Sequence, residues 1–399
     1  MTTVQPQHPK IFRHLTTFLV PGLLTLGTAF TLVSCSGDSQ KAANLSPIDT
    51  SSTKISQLWA AKINPASNNS ISKLFAASIP QLSGIKIAQA SNKPPGIKTN
   101  VIRVGFQTAG DLVKITGVLE KRLEPLGVKV EWAQFAQGPQ LMEAMNVGRI
   151  DLGSVGETPP IFAQAAGAPI VYVVGSKQTK QSGKGSALVV PPDSPIKSVK
   201  DIKGKTVVFQ KGSASHYFIL RALEDVGLKY QDIKVQSIPN VEAASAFIEG
   251  KIPVWATGDP HLARAEKLGK VRILRNAQGI ESPGAYYVGQ KKFAIDNPGV
   301  LRIVIEEIDK VQRWAQANPK EIAKLVVQYQ KLPPDVVDLI ISRRTYGLRG
   351  ISPSLIKEQQ RVADYFYKNG VIPKPVNIQE AVLTPQQYAA ITPSTISQK

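Results

Sequence analysis

From residue 101 onward, short apolar runs alternate with longer stretches in which apolar residues recur every three or four positions. The runs at 101–106, 128–132, 150–153 and 170–174 are short and bounded by turn residues, so they predict strands. Between them, 113–126, 138–147 and 161–166 carry helical spacing; in the second of these Leu141, Ala144 and Met145 share one face. The alternation continues with strands at 187–190, 206–209, 233–238, 252–256 and 271–274 and helices at 217–226 and 243–249. A strand at 286–290 follows. Beyond about residue 298 the pattern is helical throughout, at 300–317, 319–329, 334–346 and 353–369, each with an apolar stripe. Alternation of this kind predicts an α/β fold with a largely parallel sheet.

The order of these units predicts two lobes. Residues 101–188 begin the first, 189–285 form an inserted second, and 286–382 complete the first; 383–399 read as a C-terminal tail. A chain that leaves one lobe and returns to it makes two crossovers, which form a hinge, with a cleft between the sheets.

The N-terminal third reads differently. Lys10 and Arg13 precede a charge-free, mostly apolar stretch from Leu15 to Val33, the layout of a secretory signal over residues 1–34. Pro21, Gly22 and Gly27 weaken the alternative of a membrane-spanning helix. The words Leu32-Val33-Ser34-Cys35 resemble the bacterial lipobox, which implies that Cys35 is acylated and that the protein is periplasmic and anchored to a membrane. Residues 35–98, rich in Ser, Ala, Asn, Gln, Lys and Pro, read as a flexible tether.

Charge narrows the partners. The chain has 48 Lys and Arg against 29 Asp and Glu, a net +19; without residues 1–34, which hold only Lys10 and Arg13, it is +17. Such a surplus gathers anions. The basic residues are scattered, with no zinc-finger spacing, basic leucine-zipper pattern or aromatic RNA-binding signature, so nucleic acid is not expected. Cys35 is the single cysteine, which excludes an internal disulfide and a thiolate metal cluster. Beyond residue 100 the histidines are His216 and His261, and no nucleophile–base pair or metal set is visible, so neither catalysis, a metal nor a cofactor is expected.

Several segments carry a resemblance: Ile102-Arg103-Val104-Gly105-Phe106-Gln107, 119–132, Gly138-Pro139-Gln140-Leu141-Met142-Glu143-Ala144-Met145, Ile150-Asp151-Leu152-Gly153-Ser154-Val155-Gly156-Glu157-Thr158-Pro159-Pro160, Lys211-Gly212-Ser213-Ala214-Ser215-His216-Tyr217 and Arg343-Arg344-Thr345-Tyr346-Gly347. Together they resemble the aliphatic-sulfonate-binding proteins of ABC importers, over about residues 101–382. The resemblance implies a two-lobed periplasmic-binding-protein fold of type II. It further implies a monomer that takes a small organic sulfonate and hands it to a permease and its ATPase subunits. Relatives in the broader group take nitrate, taurine, bicarbonate or thiamine precursors, and some make thiamine precursors. One departure stands out. Where relatives commonly read Asp-Ala-Trp, two residues, then Trp-Asp-Pro, this chain has Pro253-Val254-Trp255-Ala256-Thr257-Gly258-Asp259-Pro260, which removes an aromatic wall and opens the cleft.

A sulfonate needs donors, and a turn leading into a helix offers unpaired backbone N–H groups at the positive dipole end. Three turns at strand ends fit: the one after Gln107, the one at Gly156, Glu157 and Thr158, and the one at Gly212 and Ser213. Ser213 and Ser215 serve equally as helix caps. His216 is a candidate donor or a packing residue, Glu157 an orienting group or an acceptor for a ligand amine, Trp255 a wall or a core residue, and Asp259 a ligand contact, a turn residue or a hinge partner. Arg343 and Arg344 read as solvated charge on a helix.

Overall fold

The computed structural model describes residues 93–107 and 111–396; Cys35, the signal segment, most of the tether and Thr108, Ala109 and Gly110 lie outside the described residues. The first lobe begins with β1 (Val101–Gln107), β2 (Lys129–Phe135), β3 (Leu152–Val155) and β4 (Ile170–Ser176). The second holds β5 (Ser186–Val190), β6 (Thr206–Val208), β7 (Lys234–Gln236), β8 (Trp255–Gly258) and β9 (Arg272–Asn276). The chain then returns through β10 (Tyr286–Gln290) and adds β11 (Leu348–Arg349). Strand order is β11-β4-β10-β3-β1-β2 in one sheet and β7-β6-β8-β5-β9 in the other.

Both sheets are mixed rather than largely parallel. β1 pairs parallel with β2 and β3, but β10 lies antiparallel between β3 and β4, with Val288 opposite Gly153 and Tyr172. Connectivity explains this. β1, β3 and β4 all run toward the other lobe, so a strand re-entering from that lobe must start at the cleft and run away from it. The same logic turns β5 against β8 and β9.

Helices cover both faces of the first sheet, which is why β4 is buried along six successive residues, Ile170 to Gly175. On one face Ile102, Val104, Leu152 and Val173 pack with the long helix Pro298–Ala317; on the other, Ile170, Tyr172 and Val288 pack with Leu141, Met145 and Phe366. The second lobe is built the same way, with Val207 and Ala256 under Phe218 and Ile219 on one side and Ala187, Val189 and Trp255 under Phe247 on the other.

The structure shifts three boundaries. All of β5 belongs to the second sheet, so the outward crossover is 177–185, ahead of the expected break after 188. Residues 383–396 are not a tail: a capping box at Thr384 and Gln387 starts the helix Pro385–Ile391, and the Tyr388 hydroxyl donates to the Tyr172 carbonyl at 2.8 Å. At the other end of the chain the last tether residues are docked, with the Lys98 and Thr99 amides on the Asn297 side chain and Ile97 buried.

The outward crossover and the return at 277–285 touch. Gln278 Nε2 donates to the Lys180 carbonyl at 2.6 Å, and Gly183, at φ +86°, passes so close that a Cβ would lie 2.4 Å from the Ala277 oxygen. Gly183→Ala is therefore expected to cost about 2–4 kcal/mol, from left-handed backbone strain plus overlap with a backbone carbonyl. Urea unfolding would read the loss, and an unchanged midpoint would mean that the two crossovers do not pack this tightly.

Candidate functional site: the cavity between the lobes

A cavity of about 400 Å³ lies where the crossovers meet the ends of both sheets. The first lobe lines it with Asp111 just past β1, Gly156 and Glu157 just past β3, Ser176 at the end of β4, Tyr286 and Tyr287 of β10, and Arg344 and Tyr346. The second lobe contributes Ser186 at the start of β5 and Ala214, Tyr217 and Phe218 from the first turns of the helix Ala214–Glu224. Gln178, Ser182, Ser282 and Gly284 come from the crossovers. Two helix starts from opposite lobes abut here: a Cβ on Gly156 would sit 3.0 Å from the Ala214 methyl.

Among the described residues Asp111, Glu157 and Arg344 are the charged groups on the walls. Asp111 caps the helix Leu112–Thr116, accepting from the Val113 amide at 2.9 Å and from the Tyr287 hydroxyl at 2.9 Å. Burial pushes its carboxyl up, while those hydrogen bonds and the nearby Arg344 charge oppose the shift. Glu157 is buried too, and desolvation pushes its carboxyl up to about 7 against weaker help from its own amide, Thr158 and Ser282. The Arg344 guanidinium donates no hydrogen bond to a described residue. The Tyr286 and Tyr346 hydroxyls are buried and likewise have no partner among the described residues. Those two hydroxyl oxygens have no accessible surface in the cavity, which leaves the Arg344 guanidinium as the charged donor on its walls, among the described residues, for an oxyanion.

The nine residues singled out in the sequence divide. Gly156 and Glu157 line the cavity. Thr158 does not; fully buried, it donates to Glu157 at 3.2 Å and so orients that carboxyl. Gln107 donates to the Ser154 carbonyl at 2.9 Å, tying the end of β1 to β3, and the loop that follows it lies outside the described residues up to Asp111. Gly212 and Ser213 do not line the cavity, Ser213 spending its hydroxyl on the Gln210 carbonyl at 2.7 Å, while Ala214 just after them does.

His216 is removed from the cavity by packing. Its Nδ1 accepts from the Gly212 amide at 3.2 Å and its Nε2 faces the Tyr230 hydroxyl at 3.1 Å. Phe162, Phe209 and Phe366 surround the ring, and burial pulls its pKa down to about 3, so it stays neutral with both nitrogens engaged. Trp255 is a core residue rather than a wall: its fully buried ring packs on Phe247 at 5.3 Å. Asp259 is a partner of Arg343, not a lining residue.

Sequence reasoning missed Arg344, Asp111 and the tyrosines. The helix expected over 334–346 ends at Arg343, and Arg344 takes extended backbone at φ −74°, ψ 139°, which turns it off the helix and onto the cavity wall. Its neighbour also departs from the solvated reading. Arg343 holds Asp259 of the second lobe through Nε and Nη2 at 2.8 and 2.6 Å and Glu266 through Nη1 at 3.0 Å. The lobes thus meet on two sides of the cavity, at this ion pair and at the aromatic cluster of Phe162, His216 and Phe366.

Two α/β lobes joined by paired crossovers and closed over a cavity lined by strand ends and helix starts define a clam-shell binding protein of the periplasmic-binding-protein fold. A family model described as NMT1/THI5 like matches residues 124–322. The chain is 35% identical over 321 residues to an aliphatic sulfonates-binding protein of Escherichia coli (strain K12), covering 79% of this chain and 97% of that one. Among solved structures, the alkanesulfonate-binding protein SsuA from Xanthomonas axonopodis pv. citri, bound to MOPS, aligns at TM-score 0.68 and 34% identity over 71% of this chain and 98% of that one. The periplasmic aliphatic sulphonate binding protein SsuA from Escherichia coli aligns at TM-score 0.64 and 35% identity, over 72% and 93%. The chain belongs to the family of aliphatic-sulfonate-binding proteins, which bind rather than turn over their ligands.

Proposed function

We propose that this protein is the substrate-binding component of an ABC importer, that it captures a small organic sulfonate between its lobes, and that it delivers it unchanged to the permease. The observation that carries this reading is the cavity itself, where the only wall cation among the described residues, Arg344, shares the walls with helix starts from both lobes. A sulfonate is a permanent anion at neutral pH with three acceptor oxygens, and Arg344 and the amides near Gly156 and Ala214 offer donors of the kind it needs. At about 400 Å³ the cavity is far larger than nitrate or bicarbonate requires, given that one water takes about 30 Å³ in the liquid. Gln107, Thr158, Gly212 and Ser213 support the site from behind, while Gly156 and Glu157 touch the ligand.

Binding and closure are one equilibrium. The ligand shifts it by its extra affinity for the closed form, in which the second lobe adds its helix start. Acylation at Cys35 would keep the protein on a membrane facing the periplasm, within reach of the permease, and acylated peptides released from the purified lipoprotein would identify that anchor by mass.

Titration calorimetry with a panel of alkanesulfonates, nitrate, bicarbonate and a thiamine precursor tests the ligand. Micromolar affinity for a sulfonate, about −8 kcal/mol, is the expected result. Heat from one of the other compounds, with none from any sulfonate, would overturn the sulfonate reading.

A further inference from the structure

The large basic surplus of the chain is not spent at the site, where Arg344 is the only wall cation among the described residues. Part of it gathers at one pole. β1, β2, β3 and β4 run toward the second lobe, and β10 runs away from it. The starts of those four strands and the end of β10 therefore share the side of the first lobe that lies away from the cavity. Contacts show that the basic residues there are contiguous. The Arg103 guanidinium donates to the Gly148 carbonyl at 2.6 Å and pairs with Asp151 at 3.3 Å, beside the exposed Arg149. The Asp151 carbonyl accepts from the Gln290 amide at 2.9 Å, which places the exposed Lys291 and Lys292 next to it. Lys292 and Lys98 share Asp296. Lys129 pairs with Glu131, its amide bonds the Asn100 carbonyl, and Lys93 holds the Asn100 side chain. Counting Glu380 as well, whose carbonyl accepts from Lys291, seven cations meet four carboxylates, a surplus of three. Arg149, Lys291 and Lys93 have no carboxylate partner among the described residues. Val147 and Ile295, 67% and 46% exposed, stand at the same pole.

Charge narrows what can cover this surface. The chain enters the first lobe here, with the Lys98 and Thr99 amides on Asn297, and residues 36–92 lead to it from Cys35. Those 57 residues hold five lysines and two aspartates, so they add positive charge to this end and do not neutralise it. A second copy of the pole would set like charge against like. An anionic surface over an apolar layer matches both the cations and the two exposed apolar side chains.

We propose that this pole is a contact surface for anionic phospholipid, with Arg149, Lys291 and Lys292 at the headgroups. This goes beyond the acyl anchor: an acylated Cys35 holds only the far end of a 57-residue segment, whereas the pole sets which way the lobes face. Contact here turns the cavity and the second lobe away from the lipid, into the solution that supplies ligand. Each lysine or arginine near such a surface strengthens binding roughly fivefold, and the attraction is screened beyond about 10 Å at 0.1 M salt.

Vesicle co-sedimentation tests the pole with the chain from residue 35 onward carrying Cys35→Ser, so that no acyl chain contributes. It should sediment with phosphatidylcholine vesicles that contain about 30% phosphatidylglycerol at about 50 mM salt, and be released at about 500 mM salt. Phosphatidylcholine alone should not retain it. Replacing Arg149, Lys291 and Lys292 together by glutamine should weaken binding about 100-fold. Removing the same charge from the second lobe, as Lys200→Gln, Lys205→Gln and Lys270→Gln, should weaken it less than about threefold. All six side chains are exposed, and thermal unfolding checks that both variants keep the fold. No sedimentation of the parent, equal sedimentation with the two kinds of vesicle, or equal losses in the two variants would overturn the proposal. The sulfonate reading would stand in each case, since none of these residues lines the cavity.

Discussion

Replacing Arg344 by alanine should weaken sulfonate binding by about 10- to 100-fold, the loss of one or two charge-assisted hydrogen bonds at roughly 1.5–3 kcal/mol. The unliganded fold should lose less than the site does, since Arg344 acts on the buried Asp111 carboxyl only through its charge while the Val113 and Tyr287 hydrogen bonds remain. The guanidinium donates no hydrogen bond to a described residue, it is half-buried at the cavity wall, and its removal leaves an open volume rather than a packing defect. Arg344→Lys should recover part of the affinity, since an ammonium restores charge without the planar fork that grips two oxygens. Calorimetry gives the affinity and thermal unfolding the stability. An Arg344→Ala protein that binds as tightly as the parent would take the cation away from the proposed site and leave the helix starts alone to hold the anion.

Its neighbour should behave in the opposite way. Arg343→Ala removes the partner of Asp259 and Glu266, and the side chains of Arg343 and Asp259 are only 9% and 14% exposed. Burial already pushes the Asp259 carboxyl up, and Arg343 works against that through two hydrogen bonds, so its loss leaves an uncompensated carboxyl. Breaking a buried pair by deleting one partner costs about 3–5 kcal/mol, which corresponds to a fall of roughly 5–10 °C or more in Tm for a protein of this size. The crossover makes the defect hard to relax. The Asp259 amide donates to the Gly185 carbonyl at 2.9 Å, and a Cβ at Gly185 would come within 2.8 Å of the Asp259 carboxylate. Charge-matched Arg343→Lys should retain part of the stability. A Tm within a degree or so of the parent for Arg343→Ala would mean that the ion pair is worth no more than an exposed one.

Adjacent arginines with opposite expected signatures show how far the sequence could be read. Both were legible as part of a familiar stretch, and both looked like charge on a solvated helix surface. The difference between them is one residue of backbone: the helix stops at Arg343, which packs against the other lobe, and the extended Arg344 turns to the cavity. The helical spacing runs past that stop, and the partner that Arg343 holds lies across the cleft, 84 residues back in the chain. His216 and Trp255 fail for a related reason. His216 follows a turn at a helix start and Trp255 stands in a stretch that resembles the relatives' wording, so a ligand contact is reasonable for both, but each side chain packs in an aromatic cluster assembled from distant segments. Gly156 and Glu157, by contrast, were legible because a strand end followed at once by a helix start constrains the backbone locally.

Alone, the sequence determined the alternation of strands and helices, the division into a discontinuous lobe and an inserted one, and the turns from which a ligand site could be built. These follow from periodicities of two and 3.6 residues and from turn residues, which act over a few positions. Tertiary structure decided the rest: the antiparallel return strand, the docking of the C-terminal helix, and which side chains face the cavity. Those depend on contacts such as Tyr287 with Asp111, 176 residues apart, and on how two lobes close over each other. No pattern within a single segment carries that information, because the neighbour that orients each side chain belongs to another part of the chain.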